Sequence, residues 1–226
     1  MIIKSLEKLG KKTLRERIYE EVVRLIVSGE LPSGGWVDEK QVTKKLRVSR
    51  TPFREAIGTL AKGGLIEIKP YRGFYVRSFS RNETADLYEL YKRLECFAVE
   101  LAVPQMSDRD IRRFENILIE AVAALQRGDM KTYAMRDREF FETIAEQSAN
   151  SALIDALARF ALQIQLCGTI TNVSPEFAER AAHQYDDIIQ ALKARDTPRA
   201  AFLVRAHISH VQEAVLSRFP KEVIDR

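Results

Sequence analysis

Apolar residues recur at helical spacing in two stretches near the start of the chain. The first stretch covers residues 14–26, and a turn rich in glycine and proline follows it at residues 29–34. The second predicts a short helix over residues 37–46, with a tight turn at residues 47–48.

A third helix is predicted directly after this turn. Ser49 is expected to cap its first turn, and Pro52 lies in that turn, where its missing N–H costs little. Thr51 and Arg54 point away from the apolar side, and Arg50 lies on its border. Two short helices around a turn form a helix-turn-helix. The residues expected to face inward from the third helix are Phe53, Ala56, Ile57 and Leu60.

Two strands are predicted next, over residues 65–68 and 74–76. Ile66 and Ile68 alternate with polar neighbours, as half-buried strand residues do. Pro and Gly residues supply the turn between the strands, with Arg72 at its tip. Three helices followed by such a hairpin predict a winged helix-turn-helix domain.

The charge distribution supports a nucleic-acid partner for this first part. Residues 1–77 hold 17 lysines and arginines against 9 aspartates and glutamates, whereas residues 78–226 hold 19 against 23, within a total of +4. Clustered cations are what phosphate neutralisation and counterion release require. The cations in and around the motif include Lys40, Lys44, Arg50, Arg54 and Arg72.

The rest of the chain predicts a series of helices with recognisable ends, which form an all-α bundle. A capping box at residues 80–83 begins the first of them, and its predicted inward stripe is Leu87, Leu90, Leu94, Phe97 and Leu101. The other five begin near Ser107, Asp129, Asn150, Ser174 and Asp196. The fold class is therefore mainly α. The predicted organisation is a tail at 1–9, the winged helix at 10–77, a linker at 78–81, the helical domain at 82–219 and a tail at 220–226.

Composition narrows the class of protein further. No apolar run approaches the roughly 20 residues that span a bilayer, and the first residues lack the apolar core of a signal peptide, so a cytoplasmic protein without a membrane partner is expected. Cys96 and Cys167 lie in predicted amphipathic helices, far from any C-x-x-C spacing. They are expected to be buried thiols.

Residues 10–77 resemble the winged helix of the GntR family of bacterial transcription regulators. The resemblance rests on V-S-R-T-P-F-R-E-A at residues 48–56, G-L-I at 64–66 and R-G-F-Y-V at 72–76. It implies a homodimer that reads a pseudo-palindromic operator in double-stranded DNA. The residues expected at the DNA are Arg50, Thr51 and Arg54 in the major groove, Ser49, Lys40 and Lys44 nearer phosphate, and Arg72 and Gly73 in the wing.

The second part of the chain, residues 80–218, looks like the FCD effector domain of the FadR subfamily, in its six-helix, VanR-like branch. The matching pieces are D-R-E-F at residues 137–140, S-A-N at 148–150, and the segments that contain His183 and His207. In such domains one aspartate and three histidines often hold a divalent metal. Asp137, His183 and His207 match three of these positions, but Phe141 stands where the family pattern has the remaining histidine.

Two outcomes stay open for this site. The three matching residues could bind one divalent ion (Zn, Ni, Fe or Mn), with water or an effector carboxylate in the open positions. Alternatively, the cavity holds no metal and the histidines bind an organic effector directly. Tyr91 also departs from the family, which commonly has an arginine there for an effector carboxylate. The expected effector-binding residues are Tyr91, Asp137, Phe141, His183 and His207.

The function expected from these observations is a ligand-responsive transcriptional regulator, most often a repressor in this family. A small-molecule effector, with a carboxylate as one option, would bind the helical domain and change the DNA affinity of the dimer. The alternative is a metal-dependent enzyme with a two-histidine, one-carboxylate site and an appended DNA-binding domain. Catalysis would require a general acid or base beside the metal, and the sequence alone does not locate one.

Overall fold

The computed structural model describes residues 13–168 and 175–219. Its contacts divide the chain into two compact units, with the division between Ser78 and Phe79. The predicted tails at 1–9 and 220–226 lie outside the described residues. Within the described part, no helix is long and apolar enough to cross a membrane.

The N-terminal unit contains three helices and a small antiparallel sheet. The helices pack through fully buried residues of the first and third, such as Ile18, Val22, Phe53 and Ile57. Burying each such side chain contributes about 1.5–3 kcal/mol. The helices are α1 (Leu14–Val27), α2 (Glu39–Leu46) and α3 (Arg50–Lys62), and the strands are β1 (Trp36–Val37), β2 (Ile66–Lys69) and β3 (Gly73–Val76).

The sheet has the order β1-β3-β2, and its first strand was not predicted. Val37, expected at the start of the second helix, instead pairs with Phe74 of β3. Helix α2 begins two residues later because the Asp38 carboxylate accepts hydrogen bonds from the backbone N–H groups of Lys40 and Gln41, at 2.8 and 3.1 Å. The predicted helix at 37–46 was therefore too long at its start.

The β2–β3 hairpin forms the predicted wing, but only one of its two isoleucines is buried. Ile66 pairs with Val76 at the base of the hairpin and is buried. Ile68 is 51% exposed, because it lies towards the tip, two residues further from the base. The predicted strand is therefore buried on one side at Ile66 but not at Ile68.

The C-terminal unit is all helix in its described part, as predicted. Side-chain caps at Ser80, Ser107, Asp129, Asn150 and Asp196 begin five of its helices. The predicted cap at Ser174 lies outside the described residues. The helices are α4 (Arg81–Ala102), a short 3-10 helix (Val103–Gln105), α5 (Asp108–Gln126), α6 (Met130–Gln147), α7 (Ser151–Gly168), α8 (Pro175–Lys193) and α9 (Thr197–Leu216).

Helix α4 is central to this unit, since it packs against α6, α7 and α9. The stripe predicted to face inward is largely wrong: Leu87 is buried, but Leu90 and Phe97 are 46% and 44% exposed, and Leu94 and Leu101 are half-buried. Helix α4 carries apolar residues on two sides, and periodicity alone does not tell which side packs. The buried side carries Tyr88, Tyr91, Glu95, Cys96, Ala98, Val99 and Ala102.

Candidate functional site

Helix α3 separates its apolar and polar residues as the sequence predicted. Phe53, with the other three predicted apolar residues, is buried against the rest of the N-terminal unit. Thr51 and Arg54 are exposed away from this side and Arg50 is exposed at its border, all within the first five residues of the helix. The start of α3 therefore presents two guanidinium groups and a hydroxyl to a partner.

Ser49 lies at the N-cap position of α3, with an extended backbone, but its side chain makes no capping hydrogen bond. The prediction that its hydroxyl caps the helix was wrong. Pro52 is the third residue of the helix and lacks an N–H, so one of the backbone donors that usually binds a cap side chain is missing. The exposed Ser49 hydroxyl is left available for another acceptor or donor, such as a phosphate oxygen.

The remaining predicted DNA contacts lie on α2 and the wing. Lys40 and Lys44 are exposed, one turn apart on α2, and Arg72 is exposed in the turn of the wing. Gly73 begins β3 with a φ of +102°, and a Cβ added to it would lie 3.1 Å from the Trp36 indole nitrogen. Only glycine is free of both conflicts, so Gly73 fixes the shape of the wing beside Arg72.

Glu39 is a residue of this surface that the sequence reasoning missed. Its carboxylate accepts two hydrogen bonds from Arg54, from Nε at 3.2 Å and from an Nη atom at 3.3 Å. The Nε atom of Arg50 lies 4.0 Å from the same carboxylate. Glu39 is the first residue of α2, and no local pattern in the sequence indicates that this residue contacts α3.

In the C-terminal unit, Asp137 and His207 are linked through one tyrosine. The Tyr185 hydroxyl donates a hydrogen bond to the Asp137 carboxylate, and the Tyr185 ring lies 4.7 Å from the His207 ring. Burial raises the pKa of Asp137, an effect that the Tyr185 hydrogen bond partly opposes. Burial also lowers the pKa of His207 to about 3, so its imidazole is neutral at physiological pH. Its Nδ1 lies 3.0 Å from the Gln184 side-chain oxygen.

The other two predicted ligand positions differ in their placement. The Phe141 ring lies 5.7 Å from the His207 ring and 6.0 Å from the Tyr185 ring, so it belongs to this cluster. His183, in contrast, is exposed. Among the described residues there is no group of three or more His, Cys, Asp or Glu side chains that could hold a metal ion. The structure therefore brings Asp137, Phe141 and His207 together around Tyr185 but does not bring His183 to them.

Tyr91 and Glu95 extend the cluster from the buried side of α4. Glu95 is only 1% exposed, and within the described part of the chain its Oε2 atom has no hydrogen-bond partner. Burial raises the pKa of Glu95 to about 8, and the Tyr91 hydroxyl partly opposes this shift. The pKa of Tyr91 is raised by burial first and then by the carboxylates of Glu95 and Asp137. Glu95 is a second residue that pattern reasoning did not assign to the site.

A basic reading helix beside a wing, joined in one chain to a helical unit with a buried polar cluster, defines a DNA-binding transcriptional regulator. Residues 14–76 match the model of the gntR family of bacterial regulatory proteins, and residues 86–210 match the FCD domain. The chain belongs to the GntR-family regulators that carry an FCD domain.

Individual relatives agree with this assignment. The chain is 27% identical over 195 residues to an uncharacterised HTH-type transcriptional regulator, YdhC, of Bacillus subtilis, a match that covers 86% of this chain and 87% of that one. It is 26% identical over 204 residues to the HTH-type transcriptional repressor RspR of Escherichia coli, with 89% of each chain covered. The structure of E. coli McbR/YncC has the same fold, with a TM-score of 0.85 at 19% identity, and covers 93% of this chain and all of that one.

Proposed function

We propose that two copies of this chain bind a pseudo-palindromic operator as a repressor and that a small molecule bound in the helical unit changes their affinity for DNA. The observation that carries the proposal is the exposed row of Arg50, Thr51 and Arg54 at the start of α3. An arginine in the major groove can donate two hydrogen bonds to guanine, which is the commonest specific contact. The exposure of Lys40, Lys44 and Ser49 supports their proposed contacts with phosphates, and we assign Arg72 and Gly73 to the wing contact.

A promoter reporter tests this proposal in a cell. Expression from the regulated promoter is expected to rise when the protein is removed and to stay high with Arg54→Ala. Expression that falls on removal would make the protein an activator. Expression that is the same with wild type and Arg54→Ala would contradict the reading role of α3.

An apolar face on α4 and α9 supports the homodimer. The Cys96 thiol donates a hydrogen bond to the Ala201 carbonyl at 3.4 Å, so the next residues, Phe97 and Phe202, lie at the same level of the helix pair. Their exposed fractions are 44% and 68%, and Leu90 lies two turns before Phe97 on the same side. Contiguous exposed apolar side chains mark interaction surfaces. Light scattering should give the mass of two chains for wild type and of one chain for Phe97→Glu.

The cluster around Tyr185 is the proposed effector site. Tyr91, Asp137, Phe141 and His207 line it together with Glu95, while His183 is the one predicted member that lies exposed. The Oε2 atom of Glu95 has no hydrogen-bond partner among the described residues, and a ligand N–H or O–H group would satisfy it. With Tyr91 in place of an arginine, these groups favour an effector with hydroxyl or amine groups over one recognised by its carboxylate.

A divalent metal at Asp137, His183 and His207 remains a proposal with less support from the arrangement of the side chains. Carboxylate and neutral imidazole suit Zn, Ni, Fe or Mn, but Asp137 is engaged by Tyr185, Phe141 supplies no donor and His183 is exposed. We propose that the effector contacts the cluster directly. Elemental analysis of tag-free wild type and Asp137→Ala decides between the two: near-stoichiometric metal that disappears in the variant would contradict direct binding.

The same arrangement bears on the enzyme alternative. The relatives are transcription regulators, and the described cluster presents buried acceptors and aromatic rings. We propose that the cluster binds its small molecule without converting it. Recovery of a bound effector in chemically changed form would contradict this.

A further inference from the structure

The contact between Glu39 and Arg54 joins the first helix of the helix-turn-helix to the side chain expected to read DNA. The carboxylate of Glu39 accepts hydrogen bonds from Nε and Nη2 of Arg54, at 3.2 and 3.3 Å. We propose that Glu39 is a positioning residue: it holds the Arg54 guanidinium in one orientation and thereby sharpens the preference for one base pair in each half-site. This inference rests on the proposed role of Arg54 at the DNA.

The guanidinium has enough donors for both partners. It carries five N–H groups in a planar fork, and Glu39 uses one on Nε and one on Nη2. Both N–H groups of Nη1 and the second one of Nη2 remain. This remaining edge is the pair of parallel donors that matches the O6 and N7 acceptors of guanine. The contact with Glu39 therefore leaves the base-reading edge of Arg54 available and fixes the plane in which it lies.

Exposure shows why the contact is more useful for reading than for folding. The side chain of Arg54 is 62% exposed and that of Glu39 is 21% exposed, and such surface ion pairs contribute little to stability. A long, exposed arginine loses conformational freedom when it binds a base, and a partner that orients it beforehand reduces that loss. Replacing Glu39 should therefore alter DNA recognition while the melting temperature stays unchanged.

The charge of Glu39 has a second consequence for specificity. Its carboxylate also lies 4.0 Å from Nε of Arg50, so one negative group stands beside two arginines of the reading surface. A carboxylate close to the DNA backbone opposes binding to phosphate, which is the sequence-independent part of affinity. Removing that charge should strengthen binding to random DNA, even as base preference is lost. Both changes lower the ratio of specific to random affinity, because the preference for the operator is lost while binding to random DNA becomes stronger.

The test uses the full-length protein and a library of short duplexes with randomised sequence. Wild type, Glu39→Gln and Arg54→Ala each select from the library, and sequencing gives the base preference at every position. The matched control is Glu30→Gln, which removes an exposed carboxylate of the same unit that pairs with Arg24 at 2.8 Å and with Lys45 at 3.8 Å rather than with Arg50 or Arg54. The double variant Glu39→Gln/Arg54→Ala goes through the same selection. Thermal unfolding of all five proteins verifies that each is folded.

The expected result is a loss of preference, by about tenfold, at the same base pair of each half-site for Glu39→Gln and Arg54→Ala. The double variant should lose no more than Arg54→Ala alone, because Glu39 acts through Arg54. Random-duplex affinity should rise for Glu39→Gln, and Glu30→Gln should keep the wild-type preference.

Three results would overturn the inference. If Glu39→Gln keeps the wild-type preference at every position, Arg54 does not need Glu39 to orient it. If Glu39→Gln loses a preference that Arg54→Ala keeps, Glu39 reads the base itself and the proposed role of Arg54 fails. If wild type enriches no sequence, the proposed operator binding fails, and there is no base preference for Glu39 to sharpen.

Discussion

The two units of the chain hold their ionisable side chains in opposite environments. In the N-terminal unit, Arg50 and Arg54 are exposed, and their acidic neighbour Glu39 is on the surface of α2. In the C-terminal unit, Glu95 and His207 are almost completely buried, and burial is the main cause of their shifted pKa values. An exposed cation suits a highly charged polymer in water, whereas a buried polar group suits a small ligand that replaces water. Changes in the first unit should therefore affect binding, and changes in the second should also affect stability.

The largest expected effect is on the packing of the helical unit. The ring of Phe140 lies 5.0 Å from that of Phe114 and 4.5 Å from that of Tyr185, and the residue is almost completely buried. Phe140→Ala should lower the free energy of unfolding by about 3–5 kcal/mol, because it leaves a cavity among these rings. Denaturant unfolding measures this value. A loss below about 1 kcal/mol would mean that the cluster depends little on its aromatic packing.

In the N-terminal unit, Arg54→Ala should weaken DNA binding without a comparable loss of stability. We expect a loss of about 1–3 kcal/mol in binding to the operator, with a relaxed base preference at one position of each half-site. The measurement is a titration of operator and random duplexes at one salt concentration. Equal losses on both duplexes would contradict base reading by Arg54 and place it at the phosphates.

Glu95→Gln should change how the stability of the protein depends on pH. Folded protein keeps Glu95 protonated up to about pH 8, whereas its ordinary pKa is 4.5, so the folded state binds more protons between these values and stability falls as pH rises. His207 has the opposite slope between about pH 3 and 6.5. The stability of Glu95→Gln relative to wild type should therefore increase by about 2 kcal/mol from pH 6.5 to pH 8. Unfolding curves at these two pH values give the difference directly, and a constant difference would contradict a protonated Glu95.

The smallest expected effect is that of Lys44→Ala. An exposed lysine at a phosphate contributes to all sequences alike, so operator and random duplexes should both bind somewhat more weakly. The slope of log affinity against log salt concentration should flatten by about 1. Binding measured over a series of salt concentrations gives this slope. A loss confined to the operator would assign Lys44 to a base.

Local patterns predicted the parts of the structure that depend on local contacts. The caps at Ser80 and Ser107 and the buried side of α3 follow from residues only three or four positions apart, and the structure confirms them. Strand β1 could not be found in this way, because Val37 is held by pairing with Phe74, far along the chain. The orientation of α4 was missed for a related reason: both of its sides carry apolar residues, and the neighbours that choose between them come from α6, α7 and α9.

The same distinction applies to the candidate sites. Thr51 and Arg54 were predicted to point away from the apolar side, with Arg50 on its border, because one helix decides where they point, and all three are exposed. Glu39 was missed because its contact with Arg54 joins two helices, and Glu95 because its burial depends on the whole bundle. The metal-ligand set was carried over from a family resemblance, position by position, and the structure leaves His183 exposed and outside the cluster around Tyr185.

Two neighbouring positions of the wing differ in the substitutions they tolerate: position 73 requires glycine, whereas position 72 accepts different side chains. Any side chain at Gly73 would meet both an unfavourable φ of +102° and the Trp36 indole nitrogen at 3.1 Å. Arg72, one residue earlier, is exposed in the turn. Over evolutionary time the wing can therefore exchange the exposed side chain at position 72 while its backbone keeps the same course. With the proposed contact between the wing and DNA, such a substitution would give the regulator a new operator without rebuilding the hairpin.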